Sequence, residues 1–282
     1  MIAILCGLGS ALAWTAATMC SSLSTREIGA APVVAWVMVV GLVVCIPLAA
    51  ASGIPRGLGG EPGLWLALSA GGNVCGLLSV YAALRVGQVA LVAPLISTEG
   101  AIAALIAIAA GESVAPAATG AITVIAFGVA LSSLPTSVAT TPDPGRGRAP
   151  LLALIGASFF GVSLYATARA GGDLPWPWVV LAGRLVGTVA VAFPLACQGR
   201  LPLPRKVLPL VVASGLCEVL GFFAFISGSR HAIAVTAVVA SQFASFTVIA
   251  GYVLFRERLA RVQLTGVAIV VVGVTLLSAL SG

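Results

Sequence analysis

Two carboxylic acids interrupt long apolar stretches of this sequence. Glu99 lies near the middle of LVAPLISTEGAIAALIAIAAGE (residues 91–112), and Glu218 is equally central in the apolar stretch 207–228. At the centre of a membrane helix a charged side chain costs about 2.5–3.5 kcal/mol on insertion scales, so such a carboxyl group is expected to face the protein interior or a water-filled cavity. There it can bind a proton or a cationic group, and Glu218 is the first candidate for that role.

Glu218 shares one helical face with small and polar residues. The members of this face are Ser214, Gly215, Gly221 and Gly228. The stretch 62–84 repeats the face with Ser69, Gly72, Asn73 and Gly76. For the glycines and serines, close helix packing is the simpler interpretation. Packing does not require a carboxylate, so Glu218 and its counterpart Asn73 are predicted to line a cavity.

Four further side chains complete the predicted site. Arg184 lies deep in the apolar stretch 175–197 and needs an anion, which Glu99, Glu218 or a substrate carboxylate can supply. Trp14 lies on a helical stripe with polar residues and suits either packing or a stacked or cationic solute. Tyr165 and Gln242 are weaker candidates. The predicted substrate-binding residues are Glu218, Glu99, Asn73, Trp14, Arg184, Tyr165 and Gln242.

The composition indicates the elements that position these residues. Of 282 residues, 60% are hydrophobic and 8% are charged, whereas soluble domains are about half apolar and a quarter charged. About 20 apolar residues cross a hydrocarbon core of about 30 Å. Ten such stretches occur, at 2–23, 31–52, 62–84, 88–110, 114–134, 150–169, 175–197, 207–228, 232–254 and 260–280. They predict an all-α integral membrane protein with ten transmembrane helices, located in the cell (plasma or inner) membrane.

Charge and cysteine patterns argue against several other classes. The net charge of +6 comes from basic residues scattered among loops and helix ends, a distribution typical of membrane topology rather than of nucleic-acid binding. The six cysteines lie in apolar spans without a CxxC pair or a histidine spacing suited to zinc. No GxxxxGK[ST] loop for ATP is present. The predicted partners are a small solute and the lipid bilayer, with no metal or cofactor, and the predicted state is a monomer or homodimer.

A polar stretch divides the chain into two halves of five predicted spans each. It covers 135–149, between a first unit at 1–134 and a second at 150–282. Identical residues recur at an offset of 145, namely Pro32/Pro177, Ser69/Ser214, Gly76/Gly221, Arg85/Arg230, Glu112/Glu257, Gly128/Gly273, Leu131/Leu276 and Ser133/Ser278. Because five is odd, the second copy enters the membrane from the opposite side. The predicted architecture is therefore two inverted five-helix repeats around a site near the bilayer midplane.

The residues of the repeat resemble a known family. The first half contains YAALRVGQVALVAPL from Tyr81, then Gly111–Glu112, Gly120 and Gly128; the second contains Arg230, RERL from Arg256, QLTG from Gln263, and Gly273. With Trp14, and Pro177 followed by Arg184, this pattern resembles the EamA-type repeat of the drug/metabolite transporter superfamily over nearly the whole chain. The resemblance implies a ten-helix transporter and favours export. Its motifs do not identify the substrate.

The sequence departs from the family pattern at three places. Val39 stands where the first half would repeat Arg184, and the first Gly-Glu loop lacks basic residues. Glu99 occupies a position where the family more often has an apolar residue or proline, and its counterpart at the offset of 145 is Ala244. Because no architectural symmetry requires Glu99, the asymmetry favours a role in binding solute or protons.

The loop charges predict an orientation. On the side away from the termini lie Arg26, Arg85, Arg146, Arg148, Arg200, Arg205, Lys206, Arg256, Arg258 and Arg261, against Arg56, Arg169 and Arg230 on the other side. The positive-inside rule then places both termini outside the cytoplasm. The family resemblance implies the opposite orientation.

These features favour a secondary transporter that exports a small polar metabolite, such as an amino acid or related solute, by alternating access. Proton coupling through Glu218 and Glu99 is part of this hypothesis. An uptake carrier for a cationic or quaternary ammonium solute is the alternative transport function. A membrane accessory subunit without transport activity and a lipid-modifying membrane enzyme are alternatives from other classes, although the loops offer little chemistry for an enzyme.

Overall fold

The computed structural model describes residues 1–55, 58–87, 89–96, 98–112, 148–255 and 261–280, with a few positions between 119 and 131. All of its regular structure is helical within those residues. The helices are α1 (Ile2–Ile28), α2 (Ala30–Ala51), α3 (Glu61–Val86), α4 (Val89–Ile96), α5 (Thr98–Ala109), α6 (Arg148–Asp173), α7 (Trp176–Gly187), α8 (Phe193–Cys197), α9 (Leu208–Ser229), α10 (Ile233–Ala240), α11 (Phe243–Phe255) and α12 (Arg261–Leu280). A π-helical turn, Thr188–Ala192, joins α7 to α8.

Seven segments of this described part are long and apolar enough to cross a membrane. The prediction of an all-α membrane protein is therefore confirmed, and most predicted spans agree with the helix bounds to within a few residues. The predicted fifth span, 114–134, lies almost wholly outside the described residues, so the number ten stays a prediction. The predicted linker also lies outside them, except for its last two positions, where α6 already begins at Arg148.

Glycine and proline mark the helix ends near the membrane surfaces. Gly29 separates α1 from α2 with a φ of 89°, a backbone conformation that side chains larger than hydrogen rarely adopt. Gly60, with a φ of 66°, precedes α3, and Pro62 follows in the first turn of that helix. Proline suits this position because a first-turn N–H group has no partner within the helix.

The span predicted at 232–254 is divided into two shorter helices, α10 and α11, which are separated by a turn at Ser241–Gln242. The span predicted at 88–110 contains α4 and α5, and Ser97 between them lies outside the described residues. A discontinuous helix is typical of transporter binding sites.

The described helices pack as two equivalent halves. If α1, α2, α3, α4 and α5 are exchanged with α6, α7, α9, α10 and α11, the main contacts map onto one another. The contact of α3 with α6 corresponds to that of α1 with α9, and α5 with α10 corresponds to α4 with α11. The contact of α2 with α7 maps onto itself. The helices of the predicted spans 88–110 and 232–254 therefore contact each other at the junction between the halves.

Two of the residues that match between the halves have structural roles. Arg230 donates hydrogen bonds to the carbonyl oxygens of Gly171 (2.9 Å) and Leu174 (3.2 Å), which joins the end of α9 to the end of α6. Both carboxylate oxygens of Glu112 accept from the backbone N–H of Ala234 at 3.3 Å. Glu112 thus caps the N-terminus of α10 from the end of α5.

Candidate functional site

A cavity lies where the two halves meet, at the middle of the helices that surround it. Its lining includes Trp14, Asn73, Phe160 and Glu218, each about halfway along its own helix, and Glu99 in the first turn of α5. The volume is about 50 Å³, which has room for a few water molecules or one small chemical group. The midpoints of membrane-spanning helices place this cavity near the bilayer midplane.

Arg184 and Glu218 form an ion pair beside the cavity. Arg184 has 1% of its surface exposed and Glu218 has 8%. One guanidinium nitrogen, Nη2, lies 3.4 Å from Glu218 Oε2, and the guanidinium carbon lies 5.4 Å from the centre of the Phe222 ring. Nη1 contacts the sulfur of Met38 at 3.6 Å, whereas Nε has no hydrogen-bond partner among the described residues. Of the two acids that the sequence offered to Arg184, Glu218 forms the ion pair, and Glu99 forms none with a described residue.

Glu99 lines the same cavity without a counter-ion. It is 4% exposed, and no described residue forms a hydrogen bond or ion pair with its carboxylate. Glu99 is therefore the acid of this cavity that is available to bind a proton or a cation.

Asn73 connects the cavity to a smaller one. The smaller cavity has a volume of about 10 Å³ and is lined by Ser69, Thr167 and Arg184, while Asn73 and Phe222 line both cavities. Ser69 and Thr167 hydrogen-bond to each other through their hydroxyl groups at 2.5 Å. The Asn73 amide has no hydrogen-bond partner in the described part of the chain. An amide with both donor and acceptor capacity is thus free beside the Arg184–Glu218 pair.

Two aromatic rings line the cavity from equivalent helices of the two halves. Trp14 packs edge-on against Phe222, with ring centres 5.4 Å apart, and a side chain at Gly221 would collide with its indole ring. Phe160 packs in the same way over Gly76, where a Cβ atom would lie 2.5 Å from the ring. Gly76 and Gly221 are among the residues that match at the offset of 145. These glycines therefore allow helix packing, and the aromatic rings that they accommodate form the cavity walls.

The structure does not bring two of the predicted residues into this cavity. Tyr165 packs edge-on against Trp65, with ring centres 5.6 Å apart, in a separate apolar cluster. Gln242 is buried in the turn between α10 and α11 and donates to the carbonyl oxygen of Val238 at 3.2 Å. Neither residue lines either of the two cavities.

Several cavity residues were not singled out from the sequence. The hydroxyl group of Tyr81 accepts a hydrogen bond from Ser21 at 2.8 Å, and Ser21 also bonds to Ser214 at 2.7 Å. Tyr81 and Phe222 follow the polar residues Asn73 and Glu218 by eight and four positions on their own helices. Residues at these spacings share a helix face, so the spacing from each polar residue would have identified both.

No group of three or more His, Cys, Asp or Glu side chains in the described residues could hold a metal ion. The charged side chains of the two cavities are Glu99, Glu218 and Arg184. The arrangement offers charge, hydrogen-bond donors and acceptors, and aromatic faces. It suits reversible binding of a small polar molecule.

Comparisons with known proteins agree with this description. The model of the EamA-like transporter family matches residues 1–134 and 147–279. A solved crystal structure has a similar fold, with a TM-score of 0.75 and 19% sequence identity, over 99% of this chain and 96% of its own. At that identity the likeness concerns the fold alone. No curated protein matches the chain.

Proposed function

The chain belongs to the EamA-like transporter family, and from this premise we propose that it is a secondary transporter of a small polar metabolite, such as an amino acid or related solute. The solute binds in the central cavity, which opens alternately to the two sides of the membrane. Because the family is one of multi-pass membrane transporters, the protein resides in a membrane; we place it in the cell membrane. Export is the direction that the family resemblance favours.

One observation carries this proposal. Glu99 and Asn73 are buried near the bilayer midplane, face a common cavity and have no partner among the described residues. Their polar atoms line the cavity, so they can hydrogen-bond to water there or to a polar solute that replaces it. A scaffold protein does not require such a hydrated polar site at mid-membrane, whereas a transporter uses it to bind a solute.

We further propose that transport is coupled to protons through Glu99. The sequence favoured Glu218 for this role, but Arg184 already neutralises Glu218. A carboxyl group without a counter-ion can take up and release a proton as the cavity changes its access to water. Glu99 is therefore preferred for coupling, and the Arg184–Glu218 pair holds α7 and α9 together beside the solute.

The proposal can be tested before the solute is identified. Vesicles that contain the purified protein are loaded with a defined mixture of amino acids and other polar metabolites, and the loss of each compound is measured by mass spectrometry. We expect at least one compound to leave faster than from protein-free vesicles. Replacing the cavity amide, Asn73→Leu, should abolish that difference, and imposing a pH gradient should change the rate for the wild-type protein but not for Glu99→Gln.

A matched control separates the cavity from the rest of the protein. Glu61 is an exposed acid at the beginning of α3 that pairs with Arg169 at 3.5 Å, so Glu61→Gln removes a carboxylate without touching the cavity. This variant should transport like the wild type. The proposal is wrong if no compound leaves selectively, or if selective loss is unchanged in Asn73→Leu. A rate that responds to pH equally in Glu99→Gln and wild type would overturn the coupling role of Glu99.

A further inference from the structure

Three described side chains determine the net charge of the central site. Glu99 and Glu218 line the main cavity, and Arg184 contacts Glu218 from the smaller cavity beside it. As ionised groups they sum to one negative charge. Because Arg184 and Glu218 neutralise each other, the uncompensated charge belongs to Glu99.

The sign of that charge restricts the solute. A charged group buried without a partner is strongly disfavoured, so Glu99 must bind either a proton or a cation when water is excluded. An anionic solute would bring the site to two negative charges. With Glu99 ionised, a neutral or zwitterionic solute would leave the single negative charge in place. A solute with one positive charge makes the occupied site neutral.

The walls of the cavity favour the same class of ligand. Trp14 and Phe160 line the cavity together with Glu99, and aromatic faces attract cations, tryptophan most strongly. The ring of Phe222 already contacts the guanidinium group of Arg184, whose central carbon lies 5.4 Å from the ring centre. Trp14 also packs against Phe225, with ring centres 5.9 Å apart, but neither Trp14 nor Phe160 contacts a cationic side chain among the described residues. The volume of about 50 Å³ limits the group that fits in this conformation to a small one.

We infer that the transported solute carries a single positive charge on an ammonium-type group, which binds between Glu99 and the rings of Trp14 and Phe160. This inference rests on the proposed transport function and narrows its solute to polar metabolites with a net charge of +1, which excludes zwitterionic amino acids. The free amide of Asn73 then binds the polar remainder of the molecule.

Ligands of similar shape and different charge test the inference. The full-length protein in detergent is titrated with choline, tetramethylammonium and methylammonium at constant ionic strength, and binding is followed by the shift in melting temperature and by calorimetry. The neutral isostere of choline, 3,3-dimethylbutan-1-ol, and the zwitterion glycine betaine serve as comparisons. We expect at least one cation to bind. Both comparison compounds should bind more weakly than that cation by on the order of tenfold, or should not bind at all.

Variants of two cavity residues assign the binding to this site. Glu99→Gln should lose cation binding, whereas Glu99→Asp keeps the charge and should retain part of it. Trp14→Leu should weaken binding roughly 2- to 30-fold through loss of the aromatic face. Glu61→Gln, the exposed control, should bind like the wild type. The melting temperature of each variant without ligand shows whether it is folded.

Each remaining outcome has a defined meaning. Equal binding of choline and its neutral isostere, equal binding of glycine betaine, or cation binding unchanged in Glu99→Gln overturns the inference. If no cation binds while the vesicles still lose a metabolite in an Asn73-dependent way, the charge class is wrong and the transport function stands. If neither the cations nor the metabolite mixture shows an effect, the transport function is wrong as well.

Discussion

Arg184 is the largest of the fully buried side chains among the described residues, and Glu218 is the anion beside it. Removing the cation from a buried ion pair leaves an unpaired charge, which typically costs 3–5 kcal/mol. We therefore expect Arg184→Met to lower the unfolding free energy by about 3–5 kcal/mol, as measured by chemical denaturation in detergent. The double variant Arg184→Met/Glu218→Gln leaves no unpaired charge in the interior, so it should recover most of this loss.

An exposed ion pair provides the control for that prediction. Lys206 Nζ lies 2.6 Å from Glu27 Oε2, and both side chains are about half exposed or more. Surface pairs of this kind contribute about 0–1 kcal/mol, so Lys206→Met should have little effect. A small loss in Arg184→Met, comparable with that in Lys206→Met, would show that the buried pair does not stabilise the fold.

At this scale the sequence identified which residues were unusual but not how they pair. Glu99, Glu218 and Arg184 stand out because an ionised group in an apolar stretch is costly wherever it lies. The choice of Glu218 over Glu99 as partner of Arg184 depends on the packing of α7 against α9, and on the space that Gly41 leaves for the arginine side chain. Neither determinant is local in sequence, so the pairing required the structure.

Adjacent glycines in α3 have different surroundings and give a matched pair of variants. A Cβ atom on Gly72 would lie 2.8 Å from the carbonyl oxygen of Phe159 and 2.9 Å from Cβ of Ser163, whereas Gly71 has open space within 4 Å. Overpacking of this kind costs about 1–3 kcal/mol, so Gly72→Ala should destabilise the protein. Gly71→Ala should be neutral or stabilising by up to about 1 kcal/mol, because alanine favours the helix. Melting temperatures of the two variants in detergent test this difference.

The same test can be repeated in α6. A Cβ atom on Gly171 would meet the side chain of Ile226 at 2.6 Å, whereas Gly172 again has open space. Gly171→Ala should destabilise more than Gly172→Ala. Since the obstacle is an isoleucine side chain rather than backbone, the loss should be smaller than for Gly72→Ala. Equal melting temperatures within both pairs would mean that close helix approach does not depend on these glycines.

The cap that Glu112 provides for α10 makes a prediction about local stability. Replacing a capping side chain with alanine typically costs about 1 kcal/mol. Glu112→Ala should therefore increase hydrogen exchange in the first turn of α10 by roughly fivefold, as measured by mass spectrometry of peptides from 233–240. Glu61→Ala should leave exchange in α10 unchanged. Unchanged exchange in Glu112→Ala would show that the hydrogen bonds to Ala234 do not hold this helix end.

Hydropathy found the apolar spans but not the break within one of them. The stretch 232–254 is apolar over most of its length, yet it contains two helices, α10 and α11. The short turn between them, at Ser241–Gln242, hardly lowers the hydropathy averaged over the whole span, so that average does not show it. The sequence pattern makes Gln242 a candidate for the site, whereas in the structure its side chain satisfies a carbonyl group of the turn.

Across the whole molecule the frame is symmetric and the site is not. Corresponding helices make corresponding contacts, yet at the offset of 145 Asn73 corresponds to Glu218 and Val39 to Arg184. Repeated glycines, arginines and acids revealed the frame because both copies need them for packing and capping. On the proposed function, the site residues differ between the copies because one solute binds at the junction of both. Repetition thus predicted the correspondence of the described helices, and departure from repetition drew attention to Glu99.

The inverted repeat makes a prediction about the two sides of the membrane. Ser52 and Gln198 are exposed residues directly after corresponding helices of the two halves, α2 and α8. An inverted repeat places them on opposite sides, and the loop charges place Ser52 outside the cytoplasm. In a variant without native cysteines, a membrane-impermeant thiol reagent added to intact cells should label Ser52→Cys, and should label Gln198→Cys only after permeabilisation. The reverse pattern would keep the inverted repeat and correct the orientation, whereas labelling of both from the same side would show that the halves are not inverted.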